Sequence, residues 1–109
     1  MVNSYKYKTA LSQKVCLDYL SHSNIQDVFE YKWEETDGQY YITFLEYKHT
    51  IRSLSNSPKP RFLISFQSLP EGGTELYVEF VKQPLQPVPF VYTNEIHDFW
   101  KQKLDADLI

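Results

Sequence analysis

Short stretches of the chain alternate between large apolar and polar residues, and this alternation predicts β-strands. The first such stretch covers residues 5–10. Ser12 follows almost directly and is a favoured residue for capping the amino end of a helix. The next apolar residues recur at helical spacing. They predict a helix whose inner face is made of Val15, Cys16, Tyr19 and Leu20.

A β-hairpin is predicted about Asp37 and Gly38, because a two-residue type I′ turn needs positive φ at both central positions. Such a turn sets which residues of the two strands face one another. The predicted pairs are Glu35 with Tyr40, Trp33 with Ile42, Tyr31 with Phe44 and Phe29 with Glu46. Large apolar side chains then share one face of the ribbon. The second strand could run on through Tyr47 toward Ile51.

A second hairpin is predicted with its turn within residues 69–73, where a proline and two adjacent glycines lie. The favoured register pairs Ser68 with Thr74, Phe66 with Leu76, Ile64 with Val78 and Phe62 with Phe80. A shift by one residue would place Ile64 opposite Glu79 on a buried face, which is unfavourable because it buries a charge.

A second amphipathic helix begins at Thr93 or Asn94 and closes the chain. Its inner stripe consists of Ile96, Phe99, Trp100, Lys103 and Leu104. The three prolines between residues 83 and 90 keep the preceding segment extended. The order of elements predicts one α+β domain over residues 1–109. It contains a single curved antiparallel sheet of about five to six strands, with a helix after strand one and a carboxy-terminal helix packed on one face.

Three stretches give this order a family resemblance: TALS at residues 9–12, EGGTEL at 71–76 and DFWKQKLD at 98–105. They resemble the strand-to-helix start, the late hairpin and the closing helix of the helix-grip fold in the START/Bet v 1-like (SRPBCC) superfamily, of which this chain would be a shortened member. The resemblance implies a ligand cavity between the sheet and the last helix. A cystatin-like wrap, with one helix in a curved meander of strands, is the alternative assignment.

Composition and charge exclude several classes of function. The net charge is −3 and Arg52 and Arg61 are the two arginines, so no basic face for nucleic acid is predicted. All three glycines lie in the predicted turns, which leaves none for a phosphate-binding loop. The single cysteine excludes an internal disulfide, and no apolar run approaches the ~18 residues of a membrane span. With no signal-peptide pattern at its amino end, the chain is expected to be cytoplasmic and not bound to membranes.

The reactive side chains do not form a catalytic or metal-binding motif. Cys16 lies on an apolar stripe and is interpreted as structural, and the three histidines are not spaced as metal ligands. Glu35 and Glu46 fall at opposite ends of the aromatic face of the first hairpin, where they could mark the rims of a pocket. No catalytic residue, metal or cofactor is therefore predicted. An enzyme would require a titrating His97 or Glu46 in the cavity.

The aromatic residues, 17% of the chain, suggest the function. They either simply form the core or line a cavity for a small hydrophobic ligand. For the second case the predicted walls are Tyr31, Trp33, Phe44, Phe66 and Trp100. The alternative function is a protein-interaction module that uses an exposed tyrosine-rich sheet face. Such a module could form a homodimer through this face. The tyrosines considered for that face are Tyr5, Tyr7, Tyr41, Tyr47, Tyr77 and Tyr92.

Overall fold

A computed structural model of the chain describes residues 4–47, 60–81 and 93–109. Its elements in chain order are β1 (Ser4–Thr9), α1 (Gln13–Leu20), β2 (Phe29–Thr36), β3 (Gln39–Tyr47), β4 (Arg61–Ser68), β5 (Thr74–Phe80), α2 (Thr93–Leu104) and β6 (Asp107–Leu108). The predicted α+β class is confirmed.

The six strands form one antiparallel sheet in the order β2-β3-β4-β5-β1-β6. The first strand of the chain therefore lies near one edge of the sheet, between β5 and the last strand. β2 forms the opposite edge of the sheet as described. Neither helix, of 8 and 12 residues, is long and apolar enough to cross a membrane, among the residues that the structure describes.

The first helix begins as predicted. The Ser12 side chain accepts a hydrogen bond from the Val15 backbone N–H at 3.3 Å. Cys16 and Leu20 are buried, but Tyr19, predicted on the same inner face, is 46% exposed. A helix of only two turns presents a narrow arc to the core. Positions four apart share that arc, while Tyr19 lies about 100° around the helix from Leu20.

The first hairpin has the predicted turn and the predicted register over most of its length. Asp37 and Gly38 both have positive φ, at 53° and 75°. The pairs of Glu35 with Tyr40, Trp33 with Ile42 and Tyr31 with Phe44 are confirmed. Beyond them the register shifts, because β3 supplies one residue more than β2. Phe29 consequently pairs with Tyr47 and not with Glu46, and such a bulge bends and twists the strand locally.

The second hairpin has the predicted register throughout, from Ser68–Thr74 to Phe62–Phe80. Its turn is closed by the Leu69 N–H, which donates to the Gly73 carbonyl oxygen at 2.8 Å. Gly73 is buried against β1, where a Cβ atom would collide with the carbonyl oxygen of Thr9. The turn thus packs directly onto the end of the first strand.

The second helix also matches its prediction. Its start at Thr93 agrees, and its buried face contains Ile96, Phe99, Trp100 and Leu104. The two-residue strand β6 after it was not predicted, because two residues are too short to show any alternation. The predicted continuation of β3 toward Ile51 and the proline-rich connector at residues 83–90 lie outside the described residues.

The core lies between the two helices and one face of the sheet. Aromatic rings from β1 to β4 meet the apolar residues of α1 and α2 there. The largest fully buried side chains are Trp100, Tyr7, Phe29, Phe44, Phe62 and Phe99. No described element covers the other face, which carries Tyr41, Leu63 and Tyr77 at central positions of the sheet.

Candidate functional site

Three of the five predicted wall residues, Tyr31, Phe44 and Trp100, lie together in the core. The ring of Phe99 in α2 lies at centroid distances of 5.3 Å from Tyr31, 5.0 Å from Phe44 and 5.1 Å from Trp100. At most 6% of any of these three is exposed. Side chains thus fill the space between sheet and α2 at this point, and Phe99, not predicted as a wall, is the ring that they share.

The other two predicted wall residues meet around a different ring. Trp33 stacks on Tyr40 at 5.7 Å with an interplanar angle of 18°, and Phe66 approaches the same Tyr40 edge-on at 5.8 Å. All three are partly buried and pack against the margin of the core. The predicted set therefore divides into an inner group and a marginal group.

Trp33 of the marginal group borders an open groove between α1 and the first hairpin, which we call the α1–β2 groove; Phe66 does not line it. The groove measures about 650 Å³. From α1 it is lined by Lys14, Val15, Leu17, Asp18 and Ser21. From the hairpin it is lined by Trp33, Glu35 and Tyr40. Apolar and aromatic side chains meet charged ones in this groove, which is a common composition for a binding site.

Local geometry explains why these residues share a groove. Lys14, Leu17, Asp18 and Ser21 are spaced by three or four residues, so they lie along one face of α1. Trp33 and Glu35 are two residues apart on β2 and point to the same side of the sheet. Tyr40 pairs directly with Glu35 across the hairpin.

Sequence reasoning identified Trp33 and Glu35 but missed the rest of the groove. Tyr40 could have been included, because the predicted turn already paired it with Glu35. The α1 contribution could not, since nothing in the sequence states that this helix lies beside β2. The side chain of Glu46, the other predicted rim residue, lies outside the described residues.

A second cleft, of about 610 Å³, lies between α2 and the segment that joins α1 to β2. At its base Lys103 donates to both carboxylate oxygens of Asp27, at 3.1 and 3.0 Å, and to the His22 carbonyl oxygen at 2.8 Å. The three donors of the ammonium group thus have three acceptors. The ion pair at the base of this cleft therefore has a structural role, because every donor of the ammonium group already has an acceptor within the protein.

Tyr31 is fixed beside this ion pair. Its hydroxyl donates to the Leu20 carbonyl oxygen at 2.8 Å, and the ammonium group of Lys103 lies 5.3 Å from its ring centroid. Burial raises the pKa of Tyr31, and the neighbouring Asp27 carboxylate raises it further, although a contact with Ser23 opposes the shift. The hydroxyl accordingly stays protonated and acts as a donor.

His97 lies in a separate pocket of aromatic rings. Its Nδ1 is 2.6 Å from the Tyr7 hydroxyl, and the Tyr5 ring meets it edge-on at 5.1 Å. Burial lowers the pKa of His97, with a smaller opposing effect from Asp98, while burial raises the pKa of Tyr7. This geometry fits a Tyr7 O–H that donates to an unprotonated Nδ1.

Among the residues that the structure describes, the remaining reactive groups form no metal centre. Cys16 is fully buried, and burial raises the pKa of its thiol to about 11, which leaves it protonated at neutral pH. Within residues 4–47, 60–81 and 93–109, no group of three or more His, Cys, Asp and Glu side chains could hold a metal ion. His49 lies outside these ranges.

No protein-family model matches the chain, and neither a curated protein nor a solved structure matches it.

Proposed function

We propose that this domain is a non-enzymatic binding module that holds a small, mainly apolar ligand in the α1–β2 groove. The observation that carries the proposal is the stacking of Trp33 on Tyr40 at 5.7 Å in the floor of an open groove between helix and sheet. A flat or apolar ligand that covers the indole would gain contact area and lose little conformational freedom of the protein.

The packing around Phe99 supports placing the ligand at Trp33 and not deeper in the molecule. A ligand beside Trp100 or Phe44 would have to displace rings that already touch Phe99. Each displaced ring forfeits roughly 1.5–3 kcal/mol of burial. Ligand binding at the groove needs no such displacement, because Trp33 and Tyr40 are partly exposed before the ligand arrives.

Size also favours the groove. Its volume of about 650 Å³ falls within the range that small-molecule sites occupy. Val15 and Leu17 line the groove from α1, and Trp33 and Tyr40 line it from the hairpin, so both walls offer apolar surface.

The two tryptophans make the test direct, because a ¹H–¹⁵N spectrum of the protein contains one indole N–H resonance from Trp33 and one from Trp100. Native mass spectrometry of freshly purified protein would first detect any bound molecule against the 13.0 kDa chain. Adding the released molecule, or a small aromatic probe, should then shift the Trp33 resonance and leave that of Trp100 in place.

A matched pair of variants assigns the resonances and controls the result. Trp33→Phe removes one indole signal and should weaken binding. Tyr77→Ala, on the opposite sheet face, should leave binding unchanged. A ligand that shifts Trp100 alone would contradict the groove and support the interior cavity instead.

A protein-interaction module is the second candidate, and the sheet face that no described element covers favours it. Tyr41 and Tyr77 lie on that face with cationic partners over their rings: the Arg61 guanidinium at 4.0 Å from Tyr41 and the Lys6 ammonium at 5.2 Å from Tyr77. Aromatic and arginine side chains are enriched in protein interfaces. A molecular mass that rises with concentration, and that Tyr41→Ala returns to the monomer value, would support a homodimer through this face.

Two broader proposals accompany the binding function. The order of one strand, a capped helix, two hairpins and a closing helix supports a relationship to the START/Bet v 1-like superfamily. The free, buried thiol of Cys16 is compatible with a reducing compartment and supports a cytoplasmic location.

A further inference from the structure

We infer that the α1–β2 groove selects cations, and that its ligand is a small organic ammonium compound with an aromatic or apolar body. This inference rests on the proposed function, because it names the chemical class of the same ligand. It is carried by the charges at the rim of the groove together with the partly exposed indole of Trp33 at its floor.

The charged side chains that line the groove include more carboxylates than ammonium groups. Asp18 of α1 and Glu35 of β2 bring a carboxylate from each wall, while Lys14 brings the one ammonium group in the lining. The lining therefore has a net charge of −1, from two carboxylates and one ammonium. A cation between the walls would interact with both carboxylates.

Both carboxylates remain available to a ligand. The side chain of Glu35 makes no hydrogen bond or ion pair with another residue in the part of the chain that the structure describes. Nδ1 of His22 lies 3.9 Å from the Asp18 carboxylate, a contact that is an ion pair only when the imidazole ring is protonated. Lys14 forms no ion pair within the same ranges, so no lysine or arginine of the described residues forms an ion pair with either carboxylate.

The aromatic floor favours the same sign of charge. The face of an indole ring attracts cations more strongly than any other side-chain ring does. Trp33 uses one face to stack on Tyr40 and borders the groove, so an ammonium group can lie over the indole while its apolar body contacts Leu17. An anion would meet two carboxylates and an unfavourable ring face.

A set of three probes with one shared ring tests the inference. They are 2-phenylethylamine, 2-phenylethanol and 3-phenylpropanoate, which carry a positive, no and a negative charge at neutral pH. Each is titrated into the protein while the Trp33 indole resonance is followed at low and at high salt. The amine should bind about threefold or more tightly than the alcohol and the alcohol more tightly than the carboxylate, and salt should reduce the difference.

Three charge variants locate the preference in the groove. Glu35→Gln should lower the ratio of amine to alcohol affinity by about twofold to fivefold, and Lys14→Gln should raise it by a similar factor. Glu79 is an exposed carboxylate on the opposite sheet face, so Glu79→Gln should leave the ratio of amine to alcohol affinity unchanged.

The outcomes separate this inference from the proposed function. Equal affinities for all three probes at Trp33, or tightest binding of the carboxylate, would overturn the cation preference and leave groove binding intact. A Trp33 resonance that responds to none of the probes, nor to any molecule released from the purified protein, would overturn both. An unchanged ratio in Glu35→Gln would also contradict the inference.

Discussion

The Lys103 ammonium group lies 3.0 Å from a carboxylate oxygen of Asp27, and the two side chains are only 7% and 1% exposed. The pair joins α2 to the segment before β2, across 76 positions of the sequence. Asp27 also accepts the Asn24 backbone N–H at 2.7 Å, so the same carboxylate shapes the segment that follows α1. This ion pair therefore fixes α2 to the one segment that joins α1 to β2.

Removing one partner should strongly destabilise the fold. Lys103→Met or Asp27→Asn leaves the other group buried without its partner, and we expect a loss of about 3–5 kcal/mol in the free energy of unfolding. Chemical denaturation followed by circular dichroism measures this loss. The double variant should lose less than the two single losses added together, because it leaves no unpaired charge.

Lys101 provides the matched control. It lies on the same helix and contacts Asp105 and Asp107 at 2.9 Å each, but its side chain is 55% exposed. Lys101→Met should change the free energy of unfolding little. Equal effects of Lys101→Met and Lys103→Met would show that burial of the Asp27 pair is not what stabilises the fold.

The two tryptophans should respond in opposite ways to truncation. Trp100→Ala removes a fully buried ring and should lower the free energy of unfolding by about 3–5 kcal/mol. Trp33→Ala removes a partly exposed ring, so it should lower the free energy of unfolding less than Trp100→Ala does. It should, however, weaken ligand binding in the groove more than Trp100→Ala does. Denaturation measures the loss of stability in each variant, and probe titration, under conditions where each variant is folded, measures the loss of ligand affinity. If the same variant showed the larger loss in both measurements, the division between core and groove would be contradicted.

His97 should make stability depend on pH. Burial lowers its pKa below the usual value of about 6.5, so the unfolded chain binds this proton more readily than the folded one. The free energy of unfolding should therefore fall as pH drops through and below about 6.5, and it should recover as pH rises. Protonation also removes the acceptor at Nδ1 that lies 2.6 Å from the Tyr7 hydroxyl.

Denaturation curves between pH 5 and pH 8 check this dependence, a window that covers the usual histidine pKa of about 6.5. The groups that face His97 are Tyr5 and Tyr7 of β1 and Asp98 of α2, so the carboxylate of Asp98 must be considered as well. The profile of His97→Gln should be flatter than that of the unmodified protein. His22→Gln, at an exposed position, serves as the control for replacing a histidine away from this site. A His97→Gln profile parallel to the original would refute the assignment.

Gly73 should tolerate no side chain. A Cβ atom there meets the Thr9 carbonyl oxygen, and Thr9 is itself fixed because its hydroxyl donates to the Leu104 carbonyl oxygen at 2.7 Å. We expect Gly73→Ala to cost about 1–3 kcal/mol in the free energy of unfolding.

Substitutions at Gly38 serve as the control that tells whether crowding or backbone conformation causes the loss of stability at Gly73. Nothing lies within 4 Å of a Cβ atom built there, but its φ is +75°. Asparagine tolerates that conformation, so Gly38→Asn should cost little, whereas Gly73→Asn should be at least as damaging as Gly73→Ala. Thermal denaturation of the variants decides between the two causes.

Much of the sheet could be predicted because hairpins are specified by neighbouring residues. The positive φ at Asp37 and Gly38 and the alternation around them imposed the pairing of Trp33 with Ile42. The prediction was wrong at Phe29, since the extra residue in β3 that moves its partner to Tyr47 has no signature in the alternation. The same limit hid β6, whose two residues gain a strand conformation only by pairing with β1.

The candidate site was predicted in part for the same reason. All five proposed wall residues are aromatic and lie on the inward side of their elements, which their periodicity implies. Periodicity does not distinguish a ring that fills the core, such as Trp100, from one at its margin, such as Trp33. That distinction depends on where α2 and α1 lie across the sheet.

The sequence by itself determined the turns, the capped helix, the register of the second hairpin, the register of the first hairpin from Tyr31 to its turn, and the apolar stripe of α2. Each of these follows from residues close together in the chain. Only the tertiary structure decided that Phe99 fills the interior, that Lys103 finds its counter-ion in Asp27, and that α1 and β2 enclose a groove. These features depend on contacts between distant segments. Their geometry is set by how whole elements pack, which no local pattern of residues specifies.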